Sequence, residues 1–317
     1  MGISQYIKEI GRGKDGARPL TRKQAADLLG QVLDGLVTDL EIGAFCLALR
    51  IKGETPVEMA GFLDAVHSRL NQVPTHAPAH VSTAQTCTVV LPSYNGARKL
   101  PLLTPLLALL LAREGKSQGV AVLIHGTPTE NSRIFISEVL TALRIQAQAA
   151  IHSIAPGDVA FFPTEVLCPA LKRLLDVRRV VGLRNPAHSL VKIMNPCVNV
   201  DGAKSLVVSS YTHPEYAVSM AQTFELTQAN AMLLRGTEGE VVADARRMPQ
   251  MQAFIKGQQQ TLQEAQAGTL VTLPDLPKST DAVSTAAYIQ AVMQGSQPIP
   301  ASIALQVEHI LHLVKQL

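Results

Sequence analysis

Val89-Val90-Leu91-Pro92-Ser93-Tyr94-Asn95-Gly96-Ala97-Arg98-Lys99-Leu100-Pro101-Leu102-Leu103-Thr104-Pro105-Leu106-Leu107-Ala108-Leu109-Leu110-Leu111-Ala112-Arg113 holds the architecture of this chain in miniature. Upstream lie the β-branched residues Thr86, Thr88, Val89 and Val90. Downstream, Leu102 to Leu111 is almost unbroken apolar sequence, interrupted only by Thr104-Pro105. The pattern predicts a buried strand, a tight loop and a buried helix. A loop entering a helix is a natural anion site, because the first N–H groups of the helix are unpaired and its dipole is positive there. Arg98 and Lys99 add charge, and Gly96 lets an anion approach the backbone. Read alone, the loop is better taken as carrying ordinary solvated charges.

Outward from this loop, short apolar strands alternate with helices. Strands are expected at Gly119 to Ile124, Ala160 to Phe162, Ser205 to Ser210 and Ala231 to Leu234. Helices are expected at Ser132 to Leu143, Cys168 to Leu175, Pro214 to Leu226, Ala282 to Met293 and Ile303 to Val314. That alternation predicts an α/β domain with a mostly parallel central sheet. The Gln-rich segment Gln258 to Gly268 reads as a surface helix or loop.

Upstream, four helices with short connections form a small helical unit: Ile3 to Ile10, Arg22 to Asp34 capped by Thr21, Leu40 to Lys52 capped by Asp39, and one from Thr55-Pro56 to about Leu70. The expected domains are therefore a helical, dimerising 1–72, a Pro- and Thr-rich linker 73–85, and an α/β domain 86–317. Part of the last, around 165–190, is expected to pack with the helical unit. His76 and His80 have a ligand-like spacing, but Pro74 and Pro78 disfavour the helix that would align them.

With 47% hydrophobic and 17% charged residues, the 317-residue chain can bury a large core. No apolar run reaches the roughly 18–20 residues of a membrane span, and the N-terminus lacks an apolar signal core, so a cytoplasmic protein is expected. Cys46, Cys87, Cys168 and Cys197 are scattered, which argues against zinc and disulfide frameworks. The net charge of +3 is unevenly spread. Lys8, Arg12, Lys14, Arg18, Arg22 and Lys23 stand against Glu9 and Asp15 in the first 23 residues. Such clustering marks a polyanion-binding face or a solvated helix end.

Ile42-Gly43-Ala44-Phe45, Leu47 to Thr55 and Glu58 resemble the N-terminal helical domain of anthranilate phosphoribosyltransferase. Gly182-Leu183-Arg184-Asn185-Pro186-Ala187-His188-Ser189-Leu190-Val191-Lys192-Ile193-Met194-Asn195-Pro196 resembles that family's Gly-x-Arg-Thr-x-Phe-Asn-Leu-Leu-Gly-Pro-Leu-x-Asn-Pro segment. The resemblance implies that family's two-domain fold, shared with the nucleoside phosphorylases. The catalytic motifs depart from it. Ser93 to Lys99 stands where the enzymes hold diphosphate with Gly-Thr-Gly-Gly-Asp. Ile124-His125-Gly126-Thr127-Pro128 stands for Lys-His-Gly-Asn-Arg, and Gly236-Thr237-Glu238-Gly239-Glu240 for the acidic magnesium pair. Arg184 matches an anthranilate-contacting arginine.

Lost glycines and acids, with gained Arg98, Lys99 and Lys192, resemble the YbiB branch of this glycosyltransferase family 3 fold. That resemblance implies a homodimeric nucleic-acid-binding protein without transferase activity. The expected interface, for DNA or RNA, comprises Lys8, Arg12, Lys14, Arg18, Tyr94, Arg98, Lys99, Arg184 and Lys192, with Tyr94 as the stacking aromatic. The former substrate cleft comprises Ser93, Asn95, Gly96, His125, Gly126 and Arg184. No catalytic residue, metal or cofactor is expected, and no membrane partner. The alternative is a phosphoribosyl- or other glycosyltransferase with an altered substrate. His125 would then act as acid or base, Arg184 would hold a carboxylate, and Glu238 with Glu240 would hold magnesium.

Overall fold

The structure, a computed structural model, describes residues 2–13, 15–74, 86–130, 132–198 and 204–317. Lys14, His76, His80 and residues 75–85 of the expected linker lie outside the described residues.

Helices α1 (Ser4–Ile10), α2 (Arg22–Leu33), α3 (Asp39–Lys52) and α4 (Pro56–His67) build the N-terminal unit. The last three each begin with a capping box, Thr21 with Gln24, Thr38 with Glu41 and Thr55 with Glu58. The cap of α3 is Thr38, not the expected Asp39. Thr38 accepts from the Glu41 N–H while Glu41 accepts from the Thr38 N–H, which satisfies two otherwise orphaned donors. Asp39 then sits in the first turn, where the helix dipole favours its charge. Helix α4 stops at His67, three residues before the expected Leu70. Buried Glu58 does more than cap: it accepts from the Leu20 N–H at 2.9 Å and from the Lys52 ammonium at 2.6 Å. It thereby ties three segments of the unit together.

The α/β part runs β1 (Cys87–Pro92), α5 (Thr104–Gly115), β2 (Val120–Gly126), α6 (Ile136–Ala142), β3 (Val159–Pro163), α7 (Thr164–Leu167), α8 (Pro169–Val181) and α9 (Ala187–Leu190). It continues with β4 (Lys204–Tyr211), α10 (Pro214–Thr227), β5 (Ala231–Arg235), β6 (Met251–Ile255), β7 (Gln258–Gln263), α11 (Ala282–Met293) and α12 (Ala301–Val314). The sheet order is β3-β2-β1-β4-β5-β6-β7. The first five strands are parallel, and β6 and β7 add antiparallel at the edge. That hairpin replaces the surface helix or loop expected at Gln258 to Gly268. Its turn residues Lys256 and Gly257 both take positive φ, +49° and +78°, the geometry that reverses a two-residue hairpin. Helix α6 starts at Ile136 rather than Ser132, because Ile134 instead bridges to Ala97.

Strand residues alternate between two cores. Val90, Leu123, Phe162 and Val207 face the helical unit with α8, α9 and α10. Val89, Leu91, Val122, Ile124 and Val208 face α5, α6, α11 and α12. Continuous burial of β1 and β2 is what a sheet covered on both faces requires. The four cysteines are buried and unbonded to one another. Among the described residues no helix is long and apolar enough to cross a membrane.

The strand order reverses at β1. From β1 the chain runs outward through β2 to β3, then returns to β4 on the other side. Ligands of open α/β sheets bind in the crevice beyond the C-terminal ends of strands at such a reversal. Here the residues beyond those ends are Ser93 to Leu100 and Thr212-His213.

Candidate functional site

The loop after β1 folds around two carboxylates of its own chain. Glu240 is 2% exposed. Its Oε1 accepts from the backbone N–H of Asn95 at 2.7 Å and of Gly96 at 2.8 Å. Its Oε2 accepts from the Ser93 hydroxyl and, at 3.2 Å, from that of Thr104 in the first turn of α5. Glu238 accepts from the N–H groups of Arg98 (2.9 Å), Lys99 (3.0 Å) and Leu100 (3.2 Å). The remaining N–H in the run, that of Ala97, goes to the Ile134 carbonyl. The turn that delivers both acids is tightly constrained. Glu238 takes φ +53° and Gly239 +88°. A β-carbon on Gly239 would lie 1.9 Å from Asn95 Nδ2, and one on Gly236 would lie 1.6 Å from the Glu240 carbonyl oxygen.

Beside this loop lies a cavity of about 510 Å³, lined among others by Arg50, Arg184, His188, Lys192, His213 and Tyr216. Lys192 donates to the Gly239 carbonyl at 3.3 Å, so the cavity and the loop share a wall. Burial holds the Lys192 ammonium down to about 8, with Glu240 opposing and Arg184 and Arg133 adding to the fall. His188 is pushed down to about 4 by burial and by Arg184, and is neutral at pH 7. Arg133 packs its β-carbon against Gly96 and pairs with Glu130, which also pairs with Arg178 at 2.9 Å. Burial raises the Glu130 carboxyl, but Arg133 and Arg178 hold it below the usual glutamate range. Arg184 is depressed by partial burial and by Arg178, against the pull of Glu130. Arg133, Arg178, Arg184 and Lys192 thus crowd together, with Glu130 the carboxylate that forms ion pairs among them.

The expected residues divide accordingly. Ser93, Asn95, Gly96, Arg98, Lys99, Arg184 and Lys192 meet at one crevice, and the Arg98 and Lys99 side chains are exposed. Tyr94 is corrected. It is 4% exposed, with its hydroxyl 2.7 Å from His125 Nδ1 and 2.8 Å from Thr164 Oγ1, so no ring face is open to a base. His125 is fully buried and pushed down to about 3 by that burial, which removes it as an acid or base at the crevice. Gly126 lies directly beneath Ser93. Glu238 and Glu240, magnesium ligands only in the alternative reading, turn their oxygens to the backbone and hydroxyl donors of the loop. Lys8 and Arg18 are exposed, and Arg12 pairs with Glu9 at 2.8 Å. Among the described residues no hydrogen bond links these three to the crevice.

Arg133, Arg178 and the inward turn of the two glutamates were not foreseen. The doublet Arg178-Arg179 was a visible signal, and so was the pair of glycines bracketing Glu238. Arg133 had none, since its position depends on the Ile134–Ala97 bridge.

A family model described as the glycosyl transferase family helical bundle domain matches residues 4–69. The uncharacterized protein YbiB of Escherichia coli (strain K12) is 38% identical over 315 residues, 96% of this chain and 92% of that protein. Anthranilate phosphoribosyltransferase of Methanosarcina acetivorans is 32% identical over 218 residues, 66% of this chain but 53% of the enzyme. The crystal structure of anthranilate phosphoribosyltransferase from Thermus thermophilus superposes with a TM-score of 0.65 at 19% identity, covering 99% of this chain and 93% of that one. The Saccharomyces cerevisiae enzyme in complex with PRPP and Mg gives 0.60 at 13%, covering 99% and 98%. At these identities the two structures establish the shared fold.

Proposed function

The chain belongs to the family of YbiB, on a phosphoribosyltransferase-type fold with the glycosyl transferase helical bundle domain, and we propose that it binds DNA or RNA with little sequence preference and transfers no phosphoribosyl group. The observation that carries this reading is the split charge of the crevice. The loop donors that would hold a small diphosphate are spent on Glu238 and Glu240. Arg133, Arg178, Arg184 and Lys192 crowd beside them with too little carboxylate to balance them, and Arg98 and Lys99 project at the rim. Excess fixed cations without metal-binding acids suit a phosphate chain, whose binding releases counterions whatever the sequence. With Tyr94 buried, base stacking contributes little, so phosphate contacts dominate.

Gel-shift titrations on unrelated oligonucleotides at several salt concentrations test this. Equal affinities across sequences and a steep loss with salt are expected; no binding at low salt would sink the reading. The cavity beside the loop favours a second reading, a glycosyl- or phosphoribosyltransferase with an altered substrate. Turnover of anthranilate with phosphoribosyl pyrophosphate and magnesium, or of another acceptor, would favour it instead.

The helical unit and the end of α8 leave apolar side chains in water, with Leu40 84% exposed, Leu36 66%, Ile51 60% and Val180 89%. Such a surface supports a homodimer formed through this unit. Light scattering should give twice the chain mass.

A further inference from the structure

We infer that a bound phosphate chain leaves the crevice across the carboxyl ends of β4 and β5, where the Arg235 guanidinium and the Tyr211 hydroxyl hold one phosphate. The inference rests on the nucleic-acid reading above and adds the path that the chain takes out of that site.

Arg235 is the last residue of β5 and pairs in register with Tyr211, the last residue of β4. Both strands run parallel to β1, so both end at the edge of the sheet that carries the crevice. Side-chain alternation sets the face. Ala231 and Leu233 face the helical unit, and Arg235, two residues on, takes the same side. Tyr211 packs against that core and lines the cavity. Burial pushes the Tyr211 phenol up and Arg235 opposes the rise, so the guanidinium is within electrostatic reach of the hydroxyl. Arg235 is exposed. Among the described residues it forms no ion pair, and the Tyr211 hydroxyl makes no hydrogen bond. Arg246 is the contrast: Asp244 takes its guanidinium through both oxygens, at 3.0 and 2.9 Å.

The other walls of the cavity mix their charges. The α3–α4 junction sets Glu54 near Arg50, and the first turn of α10 carries Glu215. A phosphate chain leaving over either wall meets a carboxylate. Over the sheet edge it meets a hydroxyl donor and a guanidinium, groups that position phosphates whatever the base. The Glu238 carboxylate, three residues beyond Arg235, is already taken by the N–H groups of Arg98, Lys99 and Leu100. From β1, which leads to Arg98 and Lys99, to β5 is two strand spacings, about 10 Å, close to the rise of about three nucleotides of one strand. The crevice and this edge can therefore engage neighbouring phosphates of one chain.

Fluorescence anisotropy with a labelled oligothymidylate over a series of salt concentrations tests this on the wild type, Arg235→Ala, Arg235→Lys, Tyr211→Phe and Lys256→Ala. Arg235→Ala should lower the slope of log K against log salt by about 0.7, one single-strand phosphate contact, and weaken binding about threefold or more at low salt. Its Tm should match the wild type, since the side chain is exposed at a strand end. Arg235→Lys should restore the slope, because the contact needs the charge. Tyr211→Phe should weaken binding without changing the slope, because the hydroxyl is neutral. Lys256→Ala removes an equal charge from the exposed turn at the opposite end of the sheet and should keep the wild-type slope. The proposal is overturned if Arg235→Ala keeps the wild-type slope, or if Lys256→Ala lowers it as much. Absence of binding by the wild type sinks the nucleic-acid reading itself, whereas wild-type binding with an unchanged Arg235→Ala slope sinks this path alone.

Discussion

The two halves of the crevice treat charge in opposite ways. In the loop half, every backbone N–H from Asn95 to Leu100 has a partner from the same chain, and Glu238 and Glu240 offset the local positive field. In the cavity half, the Lys192 ammonium is depressed by burial, and Arg184 is depressed by partial burial and by Arg178. Burial comes first in both falls and neighbouring cations add to it, so the carboxylates at hand, Glu240 and Glu130, only partly compensate these charges. The first half contributes to stability. The second costs stability, a cost that an anion bound there would offset.

The contrast can be broken most forcefully at Gly236. Gly236→Ala drives a β-carbon into the Glu240 carbonyl and unseats both carboxylates, so urea denaturation should show a loss of about 3–5 kcal/mol, the range for breaking buried charged hydrogen bonds. A loss below about 1 kcal/mol would mean the turn is not what holds the loop.

Next in size is the cavity half. Arg184→Ala with Lys192→Met should weaken oligonucleotide binding at least tenfold while stability holds or rises, because poorly compensated charge is removed. Equal affinity in that double variant would place the interface elsewhere.

Lys192 also gives a pH signature. Its folded value falls from 10.5 to about 8, so between those values the unfolded chain holds the extra proton. Stability should therefore rise with pH from about 8 to 10.5 and fall as pH drops through 8, while anion affinity changes in the opposite sense. Lys192→Met should flatten both profiles, as read by thermal melts and by titration at fixed ionic strength.

The smallest effect belongs to the rim. Arg98→Ala with Lys99→Ala should lower the salt slope by about 0.7–0.9 per lost contact and leave stability within about 0.5 kcal/mol, since their backbone N–H bonds to Glu238 remain. An unchanged slope would remove these two from the interface.

The architecture was legible because periodicity records burial. Val89 to Leu91 and Leu106 to Leu111 read as buried strand and helix whatever their partners. The hairpin was missed because Gln258-Gln259-Gln260 has no apolar alternation, and pairing with β6 alone makes it a strand. At the site, Arg184, Lys192 and the loop cations were singled out by their motif positions, and the fold brings them to one crevice. The fate of Glu240 was hidden, because a carboxylate more than a hundred residues from its donors leaves no local trace. Tyr94 misled for a related reason: loop membership suggests exposure, but its hydroxyl found partners on β2 and at the start of α7.

That last linkage has a dynamic consequence. Tyr94 joins the loop to His125 at the end of β2 and to Thr164, from which α7 leads into α8. The crevice floor is thereby stitched to the sheet and to the helix that bears Arg178. Amide exchange at this floor is therefore expected to be slow, and the α3–α4 junction at Gly53-Glu54, which lines the cavity from the helical unit, is a wall outside this linkage.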